Sequence, residues 1–175
     1  MKLFRGFRIL AWRGLLPSSR TPSRGLAGRH SLVTTLTGDL AGQGDRATLS
    51  ESAERAHLEL RLAGSCEDAW HIADQWHAPV ILYDRDIQET EWREAVGILS
   101  ALPHRPIVIL ISRVADESLW NELFRIGGFD ILRKPLRVDE TSRVLALALE
   151  YWRSEAWREQ MQPSPLVEAS NSNGS

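Results

Sequence analysis

Apolar residues fall along this chain in short runs whose period alternates between that of a strand and that of a helix. Val80-Ile81-Leu82-Tyr83 and Ile107 to Ile111 are continuously apolar, as expected of strands covered on both faces. Leu58, Leu60 and Leu62 alternate with polar neighbours, which predicts a strand over 58–63. Ser31 to Thr37 is β-branched and short, and Phe129 to Leu132 follows a glycine pair, so both read as strands. Between these lie helical patterns. Asp45 to Ala56 opens on a capping residue, and Ser65 can cap a helix from Cys66 to Trp76. Glu89 to Leu102 places Trp92, Val96 and Leu99 at core spacing, and Asp116 to Ile126 does the same with Leu119, Trp120, Leu123 and Phe124. Val138 to about Trp157 is a long final helix. Gly38 to Gly44 reads as a loop, Pro103 and Pro106 bracket a turn, and Gly127-Gly128 ends a helix. Strands and helices alternating at this spacing predict an α/β domain: a doubly wound five-stranded parallel sheet with helices on both faces.

Composition narrows this picture at the two ends. Of the 21 basic residues, 7 lie in residues 1–38, which hold no acid; that leaves 14 against 23 acids, a balance near -9 over the remainder. Such a remainder is a poor candidate for nonspecific nucleic-acid binding. Residues 1–30 are expected to be a basic flexible leader. A start codon placed too far upstream would account for such a leader, and an organelle transit peptide or a surface-lying basic helix are the alternatives. Residues 31–157 form the domain, and 158–175, with Pro163, Pro165 and a Ser/Asn-rich run, are expected to be a disordered tail too short and polar to fold into a further domain. No apolar run approaches the roughly 18 residues of a membrane-spanning helix, so no membrane partner is expected. The single cysteine, Cys66, excludes an intramolecular disulfide and fits a cytoplasmic location.

In an open parallel sheet, chemistry sits beyond the carboxyl ends of the strands. There this sequence places Thr37-Gly38-Asp39, Asp84-Arg85-Asp86, Ser112-Arg113 and Lys134-Pro135. The set is chemically coherent. A strand-end carboxylate can act as a nucleophile, and a neighbouring acid can help hold a divalent cation. A hydroxyl can donate to a phosphoryl oxygen, and an ammonium can pair with its charge.

These residues resemble the receiver domains of bacterial response regulators, a CheY-like, flavodoxin-like fold. That family carries an aspartate ending the third strand, Ser or Thr ending the fourth and Lys-Pro after the fifth; here these are Asp84, Ser112 and Lys134-Pro135. The separations, 28 and 22 residues, are typical of the family, and Gly127-Gly128-Phe129-Asp130 is similar to its turn before the fifth strand. The resemblance implies that Asp84 accepts a phosphoryl group from a histidine kinase or phosphotransfer protein, with Ser112 and Lys134 binding that group. It also implies a Mg2+ site made from Asp39, Asp84 and the backbone carbonyl of Asp86, and a downstream protein partner on the surface of the fourth helix, fifth strand and fifth helix. The expected function is therefore phosphorelay (two-component) signal transduction rather than metabolic catalysis.

Three departures support an alternative. Asp39 stands between Gly38 and Leu40 instead of in an acid pair. Ile131 occupies the position, three before the lysine, where the family has an aromatic. Gln88-Glu89-Thr90 replaces the usual Pro-Gly loop. A degenerate receiver that binds its partner without phosphate would look like this. An enzyme on the same scaffold would need a phosphate-cradling loop after the first strand, and the glycine-rich 38–44 stretch lacks a P-loop's Lys-Ser/Thr. Asp45 could supply a second metal charge but reads better as a helix cap, and Ser112 could cap the helix beginning near Ala115. The tryptophans fall on helices and read as packing residues, with Leu147, Tyr151 and Trp152 as a potential partner face. Helix-start Cys66 could have a lowered thiol pKa, but no base lies near it in sequence, so it reads as structural.

Overall fold

The computed structural model describes residues 30–35, 43–86 and 90–154. Five strands, β1 (His30–Thr34), β2 (Leu58–Leu62), β3 (Val80–Asp84), β4 (Ile107–Ser112) and β5 (Asp130–Arg133), form one sheet in the order β2-β1-β3-β4-β5. All neighbouring pairs are parallel. Five helices connect and follow them: α1 (Gln43–Arg55), α2 (Cys66–Trp76), α3 (Trp92–Ser100), α4 (Glu117–Arg125) and α5 (Val138–Arg153). The doubly wound parallel sheet expected from the alternation is the observed architecture.

The period-two geometry of the strands sorts their side chains into two cores. On one face Leu32, Val80, Leu82, Ile107, Ile109 and Leu132 pack against α1 and α5 through Leu49, Ala53, Val144, Leu145 and Ala148. On the other face Val33, Ile81, Tyr83, Val108, Leu110 and Ile131 meet α2, α3 and α4 through Ala69, Ala73, Trp92, Val96, Leu99, Leu119 and Leu123. Burying each of the larger aliphatic side chains contributes about 1.5–3 kcal/mol, so the two cores dominate folding. The small α2 residues let that helix lie close to the sheet.

Local chemistry sets the helix ends. Ser65 accepts the amide of Asp68 at 3.0 Å and starts α2 where its spacing predicts. Asp116 caps α4 in the same way through Leu119 at 2.8 Å. After α4, Gly127 adopts φ +92, and a Cβ on Gly128 would collide with the Leu123 side chain. The first glycine is required by backbone conformation and the second by space.

Several boundaries differ from the sequence expectation. α3 begins at Trp92, not Glu89, because Glu91 takes the capping position and accepts the Arg93 amide at 2.9 Å. β4 runs one residue further, to Ser112, and α5 ends at Arg153 with Ser154 extended. The larger correction is Asp45. It lies inside α1 instead of capping it, and its buried carboxylate accepts the Leu136 amide at 2.7 Å, across 91 residues. The leader, the tail and the 36–42 loop lie outside the described residues. Among the described residues no helix is long and apolar enough to cross a membrane.

Candidate functional site

The strand order places the switch point of the fold between β1 and β3, whose chains leave the sheet in opposite directions. Asp84 ends β3 there. Its residue is only 2% exposed, so its carboxylate must find partners within the protein. Oδ2 accepts Lys134 Nζ at 2.5 Å, and Oδ1 accepts the Asp86 amide at 3.0 Å. The Asp84 amide in turn donates to Thr35 Oγ1 at 3.0 Å, fastening β3 to the end of β1. Thr35 also donates its own amide to the Leu82 carbonyl at 3.1 Å.

Lys134 follows β5 and is carried to Asp84 by two attachments. Its amide donates to the Ser112 carbonyl at 3.0 Å, and the cis Lys134-Pro135 bond leads directly to Leu136, whose amide Asp45 holds. Lys134 Nζ also lies 3.2 Å from Asp86 Oδ2, and Arg113 Nε lies 3.5 Å from that same oxygen. The described part of the site is thus two carboxylates, Asp84 and Asp86, facing two cations, Lys134 and Arg113. The Asp84–Lys134 pair, short and little exposed, is electrostatically strong, although desolvation consumes much of the gain.

Ser112 closes β4 beside these residues and is 1% exposed. Its Oγ accepts the Val114 amide at 3.2 Å, so it stabilises the turn after β4 instead of capping the helix, which Asp116 caps. Lys134 thus reaches both Asp84 and Asp86, and Ser112 ends the neighbouring strand with its backbone carbonyl bonded to the Lys134 amide. Asp39 lies outside the described residues. Spacing left out Thr35, read Asp45 as a helix cap and placed Arg113 at the end of β4 without a role. Thr35 and Asp45 act through long-range contacts, while the signal for Arg113 was its position directly after Ser112.

For a hard cation the donors are right in kind. Magnesium takes oxygen ligands, often one or two carboxylates completed by water, and the Asp84 carboxylate and the Asp86 backbone carbonyl are oxygens of that kind. No cluster of three or more metal-binding side chains forms among the described residues. Among the described residues at the β1 end, Thr35 bonds the Asp84 backbone amide and not its carboxylate.

Other candidates resolve as packing. Ile131 is buried against the α2–α4 core. Burial, followed by the Glu94 charge, pushes the Cys66 thiol up, in line with its reading as a structural residue. The aromatic end of α5 is packed too: Tyr151 is buried near the Phe129 ring, and Trp152 donates to the His104 carbonyl at 3.1 Å. On α4, by contrast, Trp120 and Phe124 stack with ring centroids 5.4 Å apart, and Phe124 is 44% exposed.

No protein-family model matches the chain. Over 105 residues, 60% of this chain, it is 28% identical to the regulatory protein AtoC of Escherichia coli, and it spans 23% of that protein's length. Among solved structures, the chemotaxis response regulator CheY4 of Vibrio cholerae superposes with a TM-score of 0.59 at 15% identity, covering 70% of this chain and 100% of that one. A CheY-like receiver domain protein from Methanospirillum hungatei gives 0.55 at 14% identity, with 75% and 98% covered. The beryllofluoride-activated NtrC4 receiver domain gives 0.57 at 18% identity, with 71% and 99% covered. The chain therefore has the fold of the CheY-like response-regulator receiver domains.

Proposed function

We propose that the domain is a receiver for phosphorelay signalling in which Asp84 accepts a phosphoryl group from the phosphohistidine of a sensor histidine kinase or phosphotransfer protein. The observation that carries this reading is the convergence of Asp84, Lys134 and Ser112 at the switch-point edge, with the Asp84 carboxylate held by Lys134 Nζ at 2.5 Å. In the transfer an Asp84 carboxylate oxygen forms a bond to phosphorus as the phosphorus–nitrogen bond of the donor breaks. The electron pair stays on the imidazole nitrogen. Lys134 neutralises charge on the new phosphoryl group, and the Ser112 hydroxyl turns from Val114 to donate to it. A magnesium ion, if bound, would be held by Asp84 and the Asp86 carbonyl, with Asp39 the further ligand the sequence suggests, and would supply positive charge for the phosphoryl group. The signal then leaves through α4, β5 and α5 to a downstream protein. Ile131 is aliphatic and buried, so the two states of that surface are coupled through Ser112 and the turn it holds.

A second reading, a receiver that binds its partner without phosphate, is favoured by one observation. Both Asp84 oxygens already have protein donors. The deciding experiment is intact-mass measurement after incubation with acetyl phosphate, with and without magnesium, beside Asp84→Ala. A magnesium-dependent adduct absent from the variant supports the first reading. Folded protein without adduct at high magnesium leaves the second.

A further inference from the structure

We propose that Arg113 is a second anion-binding side chain of the Asp84 site, held in reserve by Asp86 and released to the phosphoryl group when Asp84 is modified. The inference rests on the reading of Asp84 as the acceptor and adds a residue to which no role has been assigned so far. It begins from charge. Asp84 and Asp86 face Lys134 and Arg113, so the described part of the unmodified site is neutral. A phosphoryl group replaces the single negative charge of Asp84 with about two. Lys134 already serves two carboxylates, at 2.5 and 3.2 Å, and cannot supply the balance alone.

Arg113 has the position, the freedom and the chemistry to supply the missing charge. It directly follows Ser112, the hydroxyl at the end of β4, so its backbone is anchored beside the site. Its side chain is 73% exposed and meets Asp86 at 3.5 Å, a contact loose enough to exchange. The guanidinium keeps its charge at any working pH and offers parallel N–H donors that match two phosphoryl oxygens. Asp86, with one charge shared between two cations, loses that competition to a dianion. Asp86 is thus the tether that keeps Arg113 over the site beforehand.

The test follows adduct formation with acetyl phosphate by intact mass, across a magnesium titration that begins in EDTA. In this reaction an Asp84 oxygen bonds to phosphorus, the bond to the acetyl oxygen breaks, and acetate leaves with the electron pair. Arg113→Ala is expected to slow adduct formation about fivefold at low magnesium, the scale of a partly exposed charge contact, with the gap narrowing as magnesium rises. Arg113→Lys should recover part of the rate. In the wild type the Arg113 15Nε resonance should shift on modification, and it should stay put in Asp84→Ala. Because Arg113 is exposed, matching melting curves confirm that the variant folds. An adduct that forms equally fast in Arg113→Ala at every magnesium concentration, with an unmoved Nε resonance, removes Arg113 and leaves Asp84 as acceptor. Wild-type protein that takes no phosphoryl group overturns the acceptor reading and this inference together.

Discussion

Replacing Lys134 by methionine is the most informative perturbation of this site, because it keeps the stem and deletes the charge. Asp84 has a side-chain exposure of 3% and Lys134 one of 15%, and they meet at 2.5 Å. Removing one partner of such a pair leaves the other buried and uncompensated, at a cost of about 3–5 kcal/mol. Asp84→Ala should cost less, because the freed ammonium still has Asp86 at 3.2 Å and lies nearer solvent. The double variant buries neither charge, so it should be more stable than the sum of the single losses predicts, with a coupling of about 2 kcal/mol. Urea unfolding of the four proteins at neutral pH measures this directly, provided the slopes stay equal. Repeating the cycle in about 0.5 M NaCl separates a buried pair from a surface one, since only the surface pair is screened. Losses that add within about 0.5 kcal/mol, or a coupling that vanishes in salt, would refute the picture of a desolvated pair.

Three further outcomes are expected. Asp45→Ala orphans the buried Leu136 amide and should destabilise the domain by about 1–3 kcal/mol, with faster hydrogen exchange at Leu136; unchanged exchange there would contradict the tie. Gly128→Ala drives a methyl into Leu123 and should cost about 1–3 kcal/mol in urea melts, whereas an exposed-site change such as Gly44→Ala meets no atom within 4 Å. Burial holds the His104 imidazole below its ordinary pKa, against the opposing effect of its hydrogen bond to the Ala78 carbonyl. The unfolded chain therefore binds more protons than the folded one as pH falls through about 6.5, and stability should decline below that pH. His104→Gln, which can still donate to Ala78, should flatten that decline; an unaltered pH slope would count against His104 as its source.

The sequence by itself determined the element order, the parallel sheet and most of the site. Continuous apolar runs at Val80–Tyr83 and Ile107–Ile111 can be buried only as central strands. Strand-end chemistry follows directly from that assignment, which is why Asp84, Ser112 and Lys134 were legible from spacing. Caps such as Ser65 and Asp116 were legible too, because a cap acts on an amide three residues away. Only the tertiary structure decided what Asp45, Thr35 and Arg113 do. Asp45 looks like a cap until the fold brings Leu136 to it, and Thr35 meets Asp84 across a strand pair. The aromatic end of α5 left packing and a partner face both open until the fold set Tyr151 against Phe129 and Trp152 on the His104 carbonyl. Local sequence reports local hydrogen bonds and periodic burial; contacts between residues 50 or 90 positions apart depend on how the sheet is wound, and periodicity carries no record of them.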